Sequence, residues 1–193
     1  MRARDEHAVG REAERLRGLR RELTDPVTGA DELRQLLRRD PGVGEQRLVV
    51  CPAADVCELV DAGEVPGMGK IRNSNRYMLE AALTSMGCEP VWLGTAEDSA
   101  EEICALIQRG LSECDAVVST GGVSAGDYDL TPDAMEKAGV GLLFRGVDMK
   151  PGMACACGVR NGKIVCGLSG NPASSMTSFY VVAVPALKKM MGY

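Results

Sequence analysis

A short β-branched run, Ala116-Val117-Val118, passes directly into Ser119-Thr-Gly-Gly-Val-Ser-Ala-Gly-Asp-Tyr-Asp-Leu-Thr-Pro-Asp133. The run has the length and composition of a buried strand, and Thr131-Pro132 signals a helix start, so the residues between them form a loop at the carboxyl end of a strand. That order of pieces belongs to an open α/β sheet, in which ligands bind outside the carboxyl ends of the strands. Gly121, Gly122 and Gly126 let backbone N–H groups come close to a ligand, and Thr120 and Ser124 add hydroxyls, a set suited to a phosphate. Asp127 and Asp129 would repel that phosphate unless a hard cation such as Mg²⁺ lay between them. Taken alone, the loop fits a glycine-rich surface turn with solvated acids equally well.

The remainder of the chain from Leu48 repeats the strand and helix grammar. Leu48–Cys51 reads as a first strand, followed by a long loop through Asp55, Glu58 and the turn-rich Gly63–Gly69. A helix over Asn75–Met86, capped by Ser74 and stopped by Gly87, leads to a strand over Glu89–Leu93 and a polar turn with Glu97 and Asp98. Ser99 and Glu102 form a capping box that opens a helix to about Arg109, with Ile103, Leu106 and Ile107 on its inner face. After the glycine-rich loop come a helix over Thr131–Ala138, stopped by Gly139, and a strand over Gly141–Val147. Asn161-Gly162, between apolar runs Ala154–Val159 and Lys163–Cys166, is a hairpin signal. Asn171-Pro172 opens a last helix through Phe179 and Tyr180, with Pro185 marking a boundary or a kink. Alternation of this kind predicts a three-layer αβα domain, and the hairpin makes its mostly parallel sheet a mixed one.

Residues 1–45 obey a different rule. Their first 40 hold ten Arg against nine Asp or Glu, and Leu16, Leu19 and Leu23, then Leu33, Leu36 and Leu37, fall at helical spacing around the break Thr24–Gly29. Two short helices with narrow apolar stripes are expected, an N-terminal extension that docks onto the domain spanning 46–193, docks onto a second subunit, or frays. With 193 residues, 25% charged and 45% hydrophobic, the chain has the balance of a soluble globular protein and room for one core domain. A net charge of −5 argues against a nucleic-acid partner. No apolar run approaches the roughly 20 residues of a membrane span, and the Arg- and Glu-rich start lacks a secretory core, so a cytoplasmic location is expected. The eight cysteines contain no CxxC pair and the one histidine is His7, which leaves little for a zinc site. Most read as reduced apolar packing residues, although Cys155 and Cys157, on one face of a strand, could meet a third thiol.

Two further segments complete a candidate site. Met149-Lys-Pro-Gly152 offers the Lys150 ammonium near a strand end, and Leu168-Ser-Gly-Asn-Pro172 places Gly170 and Asn171 at a helix N-terminus, where an anion is favoured. Read singly, Lys150 is an ordinary surface lysine and Asn171 a structural N-cap.

Together with Thr120–Asp129 and Ile71-Arg-Asn-Ser-Asn75, these segments resemble the molybdopterin-binding domain of the molybdopterin molybdenumtransferases, the family that includes the gephyrin E domain. The likeness covers about Leu48 to Gly192. It implies that the chain works in molybdenum cofactor biosynthesis: adenylated molybdopterin is bound with Mg²⁺, molybdate is accepted, the adenylate is cleaved, and AMP and molybdenum cofactor are released. It further implies that Thr120, Gly121, Gly122, Ser124, Asp127, Gly170, Asn171 and Pro172 bind the pterin nucleotide. Glu58, Asp98, Asp129 and Lys150 take catalytic places, with Asp98 and Asp129 at the metal and Lys150 toward ligand phosphate or incoming molybdate. The chain departs from the family pattern in four places. Asp55-Val-Cys-Glu-Leu59 stands for TGDEL, Asn73 for the aspartate of Y-D-S-N, Met153 for the second lysine of KPGK, and Ser169 for the first proline of LPGNP. Family members also carry two domains before this one and another after it, so the expectations are a stand-alone binding domain, a shortened paralogue or a fragment, with a homo-oligomer or a partner protein as the candidate source of the other domains. A non-catalytic carrier or regulator of the cofactor, and molybdopterin adenylyltransferase-like chemistry, stay open as alternatives.

Overall fold

The computed structural model describes residues 47–52, 59–96, 99–123 and 130–193. The expected N-terminal helices, the Asp55–Glu58 segment, Glu97, Asp98, Ser124, Asp127 and Asp129 lie outside the described residues. The central sheet has six strands, β1 (Arg47–Pro52), β4 (Glu89–Trp92), β5 (Ala116–Thr120), β6 (Gly141–Arg145), β7 (Cys155–Arg160) and β8 (Lys163–Leu168), in the order β4-β1-β5-β8-β7-β6. Strands β4, β1, β5 and β8 are parallel, and β7 runs antiparallel between β8 and β6. The mixed, mostly parallel sheet expected from the sequence is therefore present. Its hairpin turns at Asn161 and Gly162, whose φ values of 51° and 71° make the primed turn that suits the twist of paired strands.

Period-two alternation divides the sheet between two cores. Ala116, Val118, Ile164, Cys166 and Leu168 face one layer, formed by α1 (Ser74–Ser85), α4 (Pro172–Ser178) and α5 (Val184–Met190) around Leu79, Leu83, Phe179 and Leu187. Val117, Ala156 and Val165 face the other, formed by α2 (Ala100–Glu113) and α3 (Leu130–Lys137) around Ile103, Ile107 and Met135. A strand covered on both faces is buried along its whole length, and all five residues of β5 are buried, the polar Ser119 and Thr120 at its carboxyl end included.

Several boundaries differ from expectation for identifiable reasons. Asn73, not Ser74, caps α1, because its side-chain oxygen accepts the Arg76 N–H at 3.2 Å. Helix α2 continues to Glu113, since Gly110 packs in its buried face instead of ending it. Strand β6 stops at Arg145 because Gly146 turns to φ 75° and donates to Cys155 O. Between α4 and α5 the helix widens into a π-helical turn, Phe179–Ala183, where the Val184 N–H reaches Phe179 O. Pro185 lacks the N–H that a regular turn would require there, so the kink expected at this proline takes the form of a bulge. Missing from the sequence reading was a small parallel pair, β2 (Leu59–Val60) and β3 (Ile71–Arg72), inside the loop before α1. Two-residue strands have no periodicity to read. The third thiol is Cys166, whose Sγ lies 3.5 Å from that of Cys157 across the β7–β8 pair, with all three cysteines buried.

Candidate functional site

The chain leaves β1 for α1 on one face, leaves β5 for α3 on the other, and leaves β8 for α4 on the first face again. Loops that diverge from neighbouring parallel strands open a crevice at the carboxyl edge of the sheet. A cleft of about 400 Å³ occupies it, walled by Arg72–Asn75 before α1, Thr120–Val123 after β5 and Ser169–Pro172 after β8, with Leu59 and Ile71 at its rim.

Each wall is held by its own hydrogen bonds. Gly121 and Gly122 sit at φ 96° and 62°, a turn that residues with a Cβ adopt only under strain. The Gly121 N–H donates to Leu168 O at 2.8 Å, the buried Thr131 hydroxyl donates to Gly121 O at 3.0 Å, and the Thr131 N–H donates to Gly122 O at 3.1 Å. Gly167 makes room for this turn: a Cβ there would come within 2.9 Å of Thr131 Cγ2 and 3.0 Å of Val123 Cγ1. The second wall is an N-cap, in which Asn171 Oδ1 accepts the Ser174 N–H at 3.2 Å. Ser169, standing where proline was expected from the family pattern, accepts the Asn171 N–H at 3.3 Å and so shapes the same turn with a hydroxyl. The third wall is tied to the second by Asn75, whose side-chain amide donates to Gly170 O at 2.8 Å.

The segment that brings Arg72 and Asn73 to the cleft is fastened to α1 from outside. Asn73 N–H donates to Val60 O at 2.9 Å, Arg76 pairs with Asp61 at 3.0 Å and with Glu80 at 2.9 Å, and Tyr77 donates its hydroxyl to Asp61. The Tyr77 hydroxyl, helped by the Arg76 charge, holds the Asp61 carboxyl below its ordinary range. Arg76 also lies 4.3 Å over the Trp92 ring, a cation–π contact that anchors this latch to β4.

Electrostatically the cleft favours an anion. The first turn of the twelve-residue α1 opens onto it at Ser74 and Asn75, and among the described residues no group accepts from the N–H groups of Gly122, Val123 or Gly170. Hydroxyls, amides and the Arg72 guanidinium line it, with no carboxylate among the described lining residues. Nor do the described residues bring three His, Cys, Asp or Glu side chains together as metal ligands. Asp98, Asp127 and Asp129, the acids expected near a hard cation, lie outside the described residues.

Of the residues singled out from the sequence, Thr120, Gly121, Gly122, Gly170, Asn171 and Pro172 come together in this cleft. Lys150 does not line it. It is exposed in the β6–β7 connection, on the same edge of the sheet but beyond β8 and β7. Its neighbour Gly152 packs against α4 at Ser174 and Ser178. Arg72 stood inside the motif segment Ile71–Asn75 but had no role assigned, because a loop arginine carries no periodic or capping signal and the β2–β3 pair is what reveals its place. Asn75 was visible as part of a motif but not as the bridge between two walls.

An αβα domain with a cleft at a reversal of strand order belongs to the class of open α/β sheets whose ligands bind at that point. Within that class, the chain belongs to the family described as "Probable molybdopterin binding domain", which it matches over residues 43–189. It is 34% identical over 155 residues to a molybdopterin molybdenumtransferase of Staphylococcus aureus, a match that takes in 78% of this chain and 37% of that protein. A molybdopterin molybdenumtransferase of Staphylococcus epidermidis is 35% identical over 144 residues, 75% of this chain and 34% of the relative. The chain thus spans little more than a third of the length of these curated relatives. Among solved structures, the molybdopterin biosynthesis moea protein from Pyrococcus horikosii is similar with a TM-score of 0.67 and 31% identity, covering 77% of this chain and 36% of that one. The molybdopterin biosynthesis enzyme MoaB from Thermus thermophilus shares the fold, with a TM-score of 0.57 at 17% identity over 77% of this chain and 98% of its own.

Proposed function

We propose that the chain supplies the pterin-nucleotide site of a molybdopterin molybdenumtransferase, binding adenylated molybdopterin so that molybdate is inserted and AMP released in molybdenum cofactor biosynthesis. One observation carries the reading: the motif segments 120–122, 170–172 and 73–75 wall a single cleft at the reversal of strand order, in a chain of this family. The part assigned to Gly122, Val123 and Gly170 is to offer phosphate oxygens backbone N–H groups that are already positioned by their loops, which avoids reorganisation on binding. Thr120 and Ser124 add hydroxyl donors, and the first turn of α1 adds its dipole. Glu58, Asp98, Asp127 and Asp129 are part of the proposal as the acidic side of the site, with Asp98 and Asp129 holding Mg²⁺, which when bound would neutralise the diphosphate. Lys150, exposed on the same edge, is assigned to incoming molybdate. A cytoplasmic setting and a homo-oligomeric or partner-completed cleft belong to the same proposal.

A carrier that holds the cofactor without inserting metal is the second reading, supported by the exposed Met153 in place of lysine and by Lys150 not being among the residues that line the cleft. Incubation with adenylated molybdopterin, Mg²⁺ and molybdate separates the readings. AMP release with cofactor formation is expected for the first, and tight binding without turnover for the second. ATP consumption with plain molybdopterin would overturn both in favour of adenylyl transfer.

A further inference from the structure

Arg72 is the one charged residue among those described as lining the cleft, and its chemistry is not used by the fold. Its Nε donates to Ala62 O at 3.3 Å, a single bond that sets the plane of the guanidinium, and among the described residues its two terminal nitrogens have no partner. Its backbone is fixed as well. Arg72 pairs in register with Val60, the following residue donates to Val60 O, and the adjoining Asp61 is clamped by Arg76 and Tyr77. A guanidinium held by its Nε on an anchored strand, with its fork unspent, is a preformed receptor for a planar pair of phosphate oxygens. The same cleft is lined by the Gly121–Val123 turn and the Gly170 loop, and among the described residues the N–H groups of Gly122, Val123 and Gly170 have no acceptor, which suits the same kind of ligand. These donors come from three separate walls, which suits a ligand with more than one phosphate group.

We infer that Arg72 is the cation by which this chain recognises its ligand, and that it reads a pyrophosphate bridge, with the glycine turn and Gly170 holding one phosphate group and Arg72 the other. The inference rests on the pterin-nucleotide reading and deepens it, because it gives a role in diphosphate binding to Arg72, a residue that the motif segment Ile71–Asn75 contains but to which none was assigned.

The test uses the full chain and four probes, pyrophosphate, ADP, adenosine and adenylated molybdopterin, titrated into wild type, Arg72→Gln and Arg72→Lys, with the ligand-free melting temperature as a check on folding. Arg72 is exposed, so the ligand-free melting temperature should hold in both variants. Arg72→Gln should weaken pyrophosphate, ADP and adenylated molybdopterin by about 10- to 100-fold, leave adenosine unchanged and flatten the loss of ADP affinity with added salt. Arg72→Lys should recover only part of the loss, since an ammonium keeps the charge without the fork. Unchanged ADP and pyrophosphate affinity in Arg72→Gln would overturn the inference, as would an equal loss for adenosine, which would make Arg72 a shaping residue of the wall. If wild type binds ADP and pyrophosphate but not adenylated molybdopterin, the pterin reading falls while the Arg72→Gln comparison still decides the role of Arg72. If wild type binds none of the four, both fall.

Discussion

Asn75 is the side chain on which two walls of the cleft depend. Gly170 O can only accept, so the atom facing it must be the amide nitrogen, which fixes the orientation of the side chain; the other atom, Oδ1, is buried without a partner. Asn75→Ala should therefore cost about 1–3 kcal/mol of stability, the effect of leaving a part-buried carbonyl unmatched, and should release the Gly170 loop. Asn75→Asp keeps the shape but turns an oxygen toward Gly170 O, so it should be at least as harmful, and urea unfolding of the two variants checks both the size and the order. If both variants unfold at the wild-type midpoint, the bridge carries no weight. The motif segment Ile71–Asn75 contains both Asn75 and Arg72, yet the role of neither could be read from it. The reason is physical, since a motif reports which residue types accompany a chemistry, whereas Asn75 matters through its bond to Gly170 O and Arg72 because β2 and β3 pair and carry it to the rim.

At the scale of elements, the glycine turn after β5 is shaped by its neighbour strand as much as by its own residues. Gly167 in β8 leaves the space that Val123 and Thr131 fill, and both of those contacts would have to shift to admit a methyl group. Gly167→Ala should destabilise the fold by about 1–3 kcal/mol, as overpacking does, and should lower affinity for ADP because Thr131 holds Gly121 O and Gly122 O in place. Thermal melting and an ADP titration of the variant test this; a variant as stable as wild type with ADP affinity intact would show that the turn holds itself. Elements with a local cause were legible in advance. The Ser99 capping box, the Asn161-Gly162 hairpin and the Asn171 cap each appear where their side chains called for them. The start of α1 slipped by one residue because Asn73 and Ser74 are both good caps and only the geometry chooses between them. The β2–β3 pair and the packing role of Gly110 were not legible, because tertiary contacts and not local propensity decide them.

For the whole molecule, the alternation of strands and helices was enough to predict the mixed three-layer sheet, and the glycine-rich loop was enough to point to its carboxyl edge, where the cleft lies. The position of that site between β1, β5 and β8 comes from the strand order β4-β1-β5-β8, which no local pattern encodes. Two glycine-rich or capped loops widely separated in the chain, after β5 and after β8, become neighbours only because their strands pair in parallel. The central claim is that these loops and the Arg72–Asn75 segment form one ligand site. Amide hydrogen exchange of the full chain with and without adenylated molybdopterin and Mg²⁺ tests it most directly. The account predicts slowed exchange in residues 70–75, 120–123 and 169–172 together, and none at the hairpin tip around Asn161 on the opposite edge. Protection confined to one of the three segments, or centred on that opposite edge, would contradict it.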